Sequence, residues 1–177
     1  MPDVNKKPDK PPLHLTLGLM SLILFSLISC ENQKEPVYAG TWQFTETVNV
    51  DGLVFNTIRI LTLSRKSYEE TFSVQREGSP VISEIIGTKG DLTPTHSSMV
   101  FHLKELGTCI RDASDICTGN VQWYSEGSQY WNDNIPFFKL IIPGEFEAGE
   151  STLWLKRDLN TDGDREDPGE DVLFERI

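Results

Sequence analysis

The 177-residue sequence predicts an all-β protein, an antiparallel up-and-down β-barrel with a β-sandwich as the alternative, preceded by a separate N-terminal leader. Three observations carry this expectation. From Val37 onward, nine short segments alternate apolar and polar residues and are rich in Val, Ile, Thr and aromatics. They recur at roughly 10- to 15-residue spacing with Gly, Asp, Asn and Pro between them, which is the punctuation of a meander and not of βαβ units. No segment carries a convincing helical stripe. Closure into a barrel also leaves no sheet edge open to neighbouring molecules.

In chain order, the first segment places Trp42, Phe44, Val48 and Val50 on one face. Asp51-Gly52 follows as a hairpin turn, because both residues tolerate the left-handed backbone that such turns need, and it leads into Leu53 to Leu63. The third segment, Ser67 to Gln75, sets Tyr68, Phe72 and Val74 against Thr71, Ser73 and Gln75. Glu77-Gly78-Ser79-Pro80 turns the chain into Val81 to Thr88. The pattern continues through Met99 to Leu106, Val121 to Tyr124, Phe137 to Ile142, Leu153 to Arg157 and Val172 to Ile177.

Residues before Val37 have a different character. Lys6, Lys7 and Lys10 precede LHLTLGLMSLILFSLIS, a run from Leu13 to Ser29 without an acidic or basic residue. A membrane-spanning helix needs about 20 apolar residues, so a run this short behind a basic flank reads as a signal-peptide core, with an uncleaved anchor helix as the other reading. The run ends in Leu27-Ile28-Ser29-Cys30, which resembles the lipobox of bacterial lipoproteins. That resemblance implies a signal peptide over residues 1-29 and acylation of Cys30 with palmitate-type chains. It further implies a tether over 30-37, an exported domain over 38-177, and a location on a membrane of the bacterial cell envelope. At about 0.8 kcal/mol per buried methylene, two or three chains hold durably where one does not.

Removing the leader changes the charge. The whole chain is at -11, and residues 1-29 hold three Lys and two Asp, so the remainder stands at -12. An anionic surface excludes nucleic acid as a partner, since phosphate binding requires a Lys/Arg surface, and leaves any membrane affinity to the anchor. Once Cys30 is acylated, Cys109 and Cys117 are the one possible intramolecular pair. Export permits their oxidation, and closing a loop of that length contributes about 2.6 kcal/mol on the chain-entropy model. A zinc site lacks two further ligands at suitable spacing, while free thiols remain the other reading.

Gly40-Thr41-Trp42 near the start of the exported domain resembles the Gly-x-Trp signature of lipocalins, and the size and meander are similar to lipocalin-like domains of bacterial lipoproteins. The resemblance implies that Trp42 closes one barrel end beneath an Arg of the last strand. Arg176 is the matching position and Arg157 the runner-up. It also implies a small apolar ligand, because an eight-stranded barrel can hold one such molecule.

Tyr68, Phe72, Val74, Met99, Phe101 and Leu103 alternate in a way that would line such a cavity or fill a core. Glu70 shares the parity of Tyr68 and Phe72, so a regular strand points its carboxylate inward, where it needs a partner and would orient a polar ligand head. Near the C-terminus, Asp158, Asn160, Asp162, Asp164 and Glu166 match the opening of an Asp-rich calcium loop, with Gly163 at the turn. Gly169 stands where an EF-hand has its bidentate Glu, and the flanks are strand-like, so calcium would be held in a turn between strands. Catalysis is not expected: no GxSxG, HExxH, P-loop or CxxC motif appears, and on a regular strand His102 and Glu105 face opposite sides. The alternative function is a surface or envelope interaction protein with a filled barrel, using Trp123, Tyr124, Tyr130 and Trp131 as anchors.

Overall fold

The computed structural model describes residues 34-160, 162, 164, 165, 167 and 169-177. The leader, Cys30, the start of the tether and Glu166 lie outside the described residues. Among the described residues nine strands form: β1 (Gly40–Val50), β2 (Leu53–Leu63), β3 (Ser67–Arg76), β4 (Ile82–Pro94), β5 (Ser98–Arg111), β6 (Cys117–Ser125), β7 (Ile141–Ala148), β8 (Thr152–Arg157) and β9 (Asp171–Arg176). A single short helix, α1 (Gln129–Asn134), and a 3-10 turn over Ile135–Phe137 join β6 to β7.

Eight of the strands close a ring. β1 to β5 pair in sequence, β5 then pairs with β7, β7 with β8, β8 with β9, and β9 returns to β1, every pairing antiparallel. This is the closed up-and-down barrel of lipocalin-like form, and it excludes the sandwich. β6 stands outside the ring. It pairs with the Glu105-to-Arg111 half of β5, while β7 takes the Ser98-to-His102 half. The 14-residue β5 is therefore long enough to serve two neighbours along one edge.

The first turn follows its sequence. Asp51 and Gly52 both have positive φ (52° and 81°), and the Gly52 N–H donates to Asn49 Oδ1 at 3.0 Å. Two elements differ from expectation. Phe137 to Leu140 is not strand: Pro136 sits in the first turn of the 3-10 segment, and the strand begins only at Ile141. Helix α1 carries no long apolar stripe, yet Ser128 caps it by accepting from the Trp131 N–H at 3.2 Å, and Trp131 is buried.

The main core fills one end of the barrel, where Trp42, Leu61, Tyr68, Met99, Phe101 and Phe174 pack together. Tyr68 meets Phe101 edge-on at 5.0 Å between ring centres. Trp42 is fully buried and donates from Nε1 to the Tyr38 carbonyl at 2.8 Å. Across its outer face lies Arg176, with the guanidinium carbon 4.1 Å from the ring centre and N–H groups donating to the Ala39 and Val37 carbonyls. Gly40 has φ 146°, and a Cβ there would press into the Arg176 guanidinium. The first glycine of Gly40-Thr41-Trp42 thus makes room for the cation that closes this end. Arg157 lies elsewhere, over Phe101.

Cys109 and Cys117 are joined by a disulfide that ties β5 to β6, with their Cα atoms 5.7 Å apart and Ile85 packed against them.

Candidate functional site

Beyond the core, toward the barrel end where β6, α1 and the β8–β9 loop gather, lies a cavity of about 260 Å³. Its apolar wall comes from Phe72, Ile86, Phe101, Phe138 and Ile142, with Phe137 at the rim, 82% exposed. Polar groups gather where the cavity meets the core. Arg59 from β2, Glu70 from β3 and Arg157 from β8 converge there, beside Tyr68 and Thr88. Register explains the meeting. Arg59 pairs with Phe72 and Leu61 with Glu70, so Arg59 and Glu70 sit on the inner face two residues apart across neighbouring strands. Arg157 shares its parity with the buried Leu153 and Leu155.

Arg157 holds Glu70 with both terminal nitrogens, each 2.7 Å from a carboxylate oxygen. Arg59 approaches the same carboxylate less closely, with Nε 3.7 Å from Oε1, and donates from Nη1 to the Gly169 carbonyl at 2.8 Å. Burial works to raise the Glu70 pKa, but the charge and hydrogen bonds of Arg157, together with Arg59, outweigh it and hold the carboxyl below its usual range. Arg157 is raised despite its burial because Glu70 stabilises its charge. Arg59 goes the other way: desolvation lowers it, Glu70 compensates in part, and Arg157 repels it. Burial and the nearby Glu70 charge also push the Tyr68 hydroxyl upward, so it remains a neutral hydrogen-bonding group.

Of the residues expected to line a cavity, Tyr68, Glu70, Phe72 and Phe101 do so. Met99 is fully buried in the core instead, Leu103 packs with Leu106 and Trp131, and Val74 is half-buried away from the cavity lining. Glu70 points inward, and its carboxylate is bound by Arg157 and not directed at the cavity alone. Arg59, Thr88, Phe137 and Phe138 were not singled out in the sequence. β2 is apolar on both parities (Ile58 and Ile60 against Leu61 and Leu63), which hides the inner face that Arg59 shares.

The acidic loop brackets the same barrel end, and Leu159 lines the cavity. Among the described residues, the carboxylates of Asp162, Asp164 and Asp167 lie within 4.8 Å of one another, all exposed. Desolvation and the neighbouring Asp162, Asp164 and Glu170 charges raise the Asp167 pKa. These three oxygens could hold a hard cation. The set differs from the one the loop spacing implied: Asp158 is outside this trio, and Asn160 turns its Nδ2 toward Asp162 and Asp167 as a donor. Glu170 is 2% exposed and braces the loop from within, accepting from the Leu159 and Asn160 N–H groups at 2.6 and 3.2 Å.

His102 and Glu105 also differ from the regular-strand expectation. Between Lys89 and Gly90 the β4–β5 register shifts, leaving Lys104 as an extra residue, so His102 (opposite Asp91) and Glu105 (opposite Lys89) share the outer face. They keep separate neighbours: His102 Nε2 lies 3.4 Å from Thr93 Oγ1. The aromatics proposed as anchors are packed. Trp123 covers Gly87 and Gly107 beneath Lys89, Tyr124 stacks on Tyr130, and Trp131 is buried. No protein-family model and no curated protein matches the chain.

Proposed function

We propose that this chain is a bacterial envelope lipoprotein, anchored through acylated Cys30, whose lipocalin-like barrel carries a small, largely apolar ligand and performs no catalysis. The observation that carries the ligand reading is the cavity of about 260 Å³ inside a closed barrel, walled by Phe72, Phe101, Phe138 and Ile142 and furnished with a few polar groups at one end. Ligand sites are built in that way, mostly apolar with a few placed polar groups. The volume lies near the small end of such sites, which favours one short chain or one small ring system over a two-tailed lipid. The anchor reading rests on the basic flank, the apolar run and Leu27-Ile28-Ser29-Cys30.

Organic extraction of the purified protein followed by mass spectrometry tests the ligand, and titration with short-chain apolar probes tests the empty protein. Failure to recover or bind any such molecule refutes the carrier reading. Intact mass tests the anchor: an unacylated mature chain refutes it, as does a cleaved Cys30→Ala chain that stays on the membrane.

The second reading, a surface or envelope interaction protein, draws on a different observation from the one the sequence offered. Phe137 is exposed at the cavity rim, and Leu140 and Ile141, which follow it in the chain, are exposed too, whereas Trp123, Tyr124, Tyr130 and Trp131 pack against the barrel. Calcium at Asp162, Asp164 and Asp167 would be compatible with either reading as a stabiliser of the β8–β9 loop.

A further inference from the structure

We propose that the ligand of the barrel cavity is an anion, a single apolar chain ending in an oxyanion such as a carboxylate, with that oxyanion seated against Arg59. The inference rests on the carrier reading of the cavity and adds the chemical class of its ligand. Charge count is the starting point. Among the described residues, two guanidinium groups, Arg59 and Arg157, meet one carboxylate, Glu70, where the apolar cavity joins the core. Arg157 occupies both Glu70 oxygens at 2.7 Å, and Arg59 is left with a 3.7 Å approach and a neutral carbonyl, that of Gly169.

The group therefore carries one positive charge in excess, largely withdrawn from water. Side-chain exposure is 15% for Arg59, 13% for Glu70 and 3% for Arg157. A partly desolvated charge without a full partner is costly, and a second anion in the cavity would remove that cost. The lowered proton affinity of Arg59 agrees with this under-compensation; Glu46, the other carboxylate acting on it, contributes least. A guanidinium fork matches the two oxygens of a carboxylate or phosphate, while the ring faces of Phe72 and Phe101 and the side chains of Ile86 and Ile142 suit an alkyl tail. The sequence parity of Glu70 implies the opposite preference, a ligand head oriented by a carboxylate. Arg157 cancels that preference by binding both oxygens. The exposed Asp162, Asp164 and Asp167 oppose the approach of an anion, but water and salt screen them more than the inner group.

The test is a head-group series on one tail, titrated into the purified full chain in detergent-free buffer below the micellar range: decanoate, decyl phosphate, decanol and decyltrimethylammonium. Decanoate or decyl phosphate should bind about tenfold or more tighter than decanol, the range of a charge-assisted hydrogen bond, and the cation should bind weakest. The better of the two anions identifies which oxyanion fits. Arg59→Gln should abolish the anion's advantage over decanol, and Arg59→Lys should keep part of it. Equal affinity for decanol and both anions, or preference for the cation, overturns the inference and leaves the carrier reading standing. Binding of none of the four overturns both. The series on the unaltered chain decides the matter even where Arg59→Gln does not fold.

Discussion

Replacing Glu70 by Gln is the most informative single change in the barrel. The two side chains have nearly the same volume, so the change acts on charge and hydrogen bonding. Arg157 loses its counter-ion, and one of its two 2.7 Å bonds becomes an N–H facing an N–H. Arg157 is buried, and the face of Phe101 lies 5.1 Å from its guanidinium carbon, so water cannot readily replace the lost acceptor. Breaking a buried pair from one side costs about 3–5 kcal/mol. For a domain of this size that corresponds to a fall in Tm of about 10–20 °C. Urea denaturation followed by Trp fluorescence measures the change directly. Replacing both partners, Glu70→Leu with Arg157→Leu, should cost less than Glu70→Gln alone, because no unpaired charge remains at the Arg157 position. The pH dependence carries an independent signature. The folded-state pKa of Glu70 is depressed, so its contribution is complete above the unfolded-state value of about 4.3 and is lost as pH falls through the lower folded-state value. The parent should therefore lose more stability than Glu70→Gln across that acid interval. A loss under about 1 kcal/mol for Glu70→Gln, or a double replacement that costs the sum of the singles, would refute the reasoning.

Three further outcomes follow from other parts of the molecule. Reducing Cys109–Cys117, or replacing both by Ala, should lower stability by about 2.6 kcal/mol on the chain-entropy model; two alkylatable thiols at these positions in unreduced protein would contradict the bond. Arg176→Ala should destabilise by about 1–2 kcal/mol through loss of the Trp42 contact and two carbonyl bonds, and Gly40→Ala should also destabilise by displacing the guanidinium; equilibrium unfolding unchanged in both would count against the closure. If Asp162, Asp164 and Asp167 hold calcium, saturating the site a hundredfold over Kd should stabilise by about 2.7 kcal/mol, and the Asp162→Asn/Asp164→Asn protein should lose that gain; a Tm indifferent to millimolar calcium and to chelator removes the site.

The fold was legible because its signals are local. β2 was bounded at Leu53 and Leu63 by a left-handed turn on one side and a Ser-rich turn on the other, and alternation in β3 set Tyr68, Glu70 and Phe72 on one face. What stayed hidden depends on interactions between distant parts of the chain. β4 and β5 ran longer than their apolar patterns because antiparallel pairing supplies a partner even for Gly90, and a bulge that leaves Lys104 without a cross-strand partner reverses parity. Phe137 to Leu140 was read as strand because Phe137 and Phe138 satisfy an apolar pattern in either conformation.

The candidate site shows the same limit more sharply. Parity placed Glu70 inside, but the meaning of an inward carboxylate depends on what faces it, and its partner Arg157 lies 87 residues along the chain. Replacing a buried ion pair by apolar residues is often neutral or stabilising, so folding alone does not account for three charged side chains at the floor of an apolar cavity. A filled, purely structural barrel would gain from Leu or Phe at those positions. On the proposed carrier reading, two cations around one carboxylate would serve a molecule that brings the missing negative charge and a tail for the surrounding rings. The same arrangement explains why Arg59, held by Gly169 of the acidic loop, and not Glu70, is the residue whose change should separate head-group selection from binding of the tail.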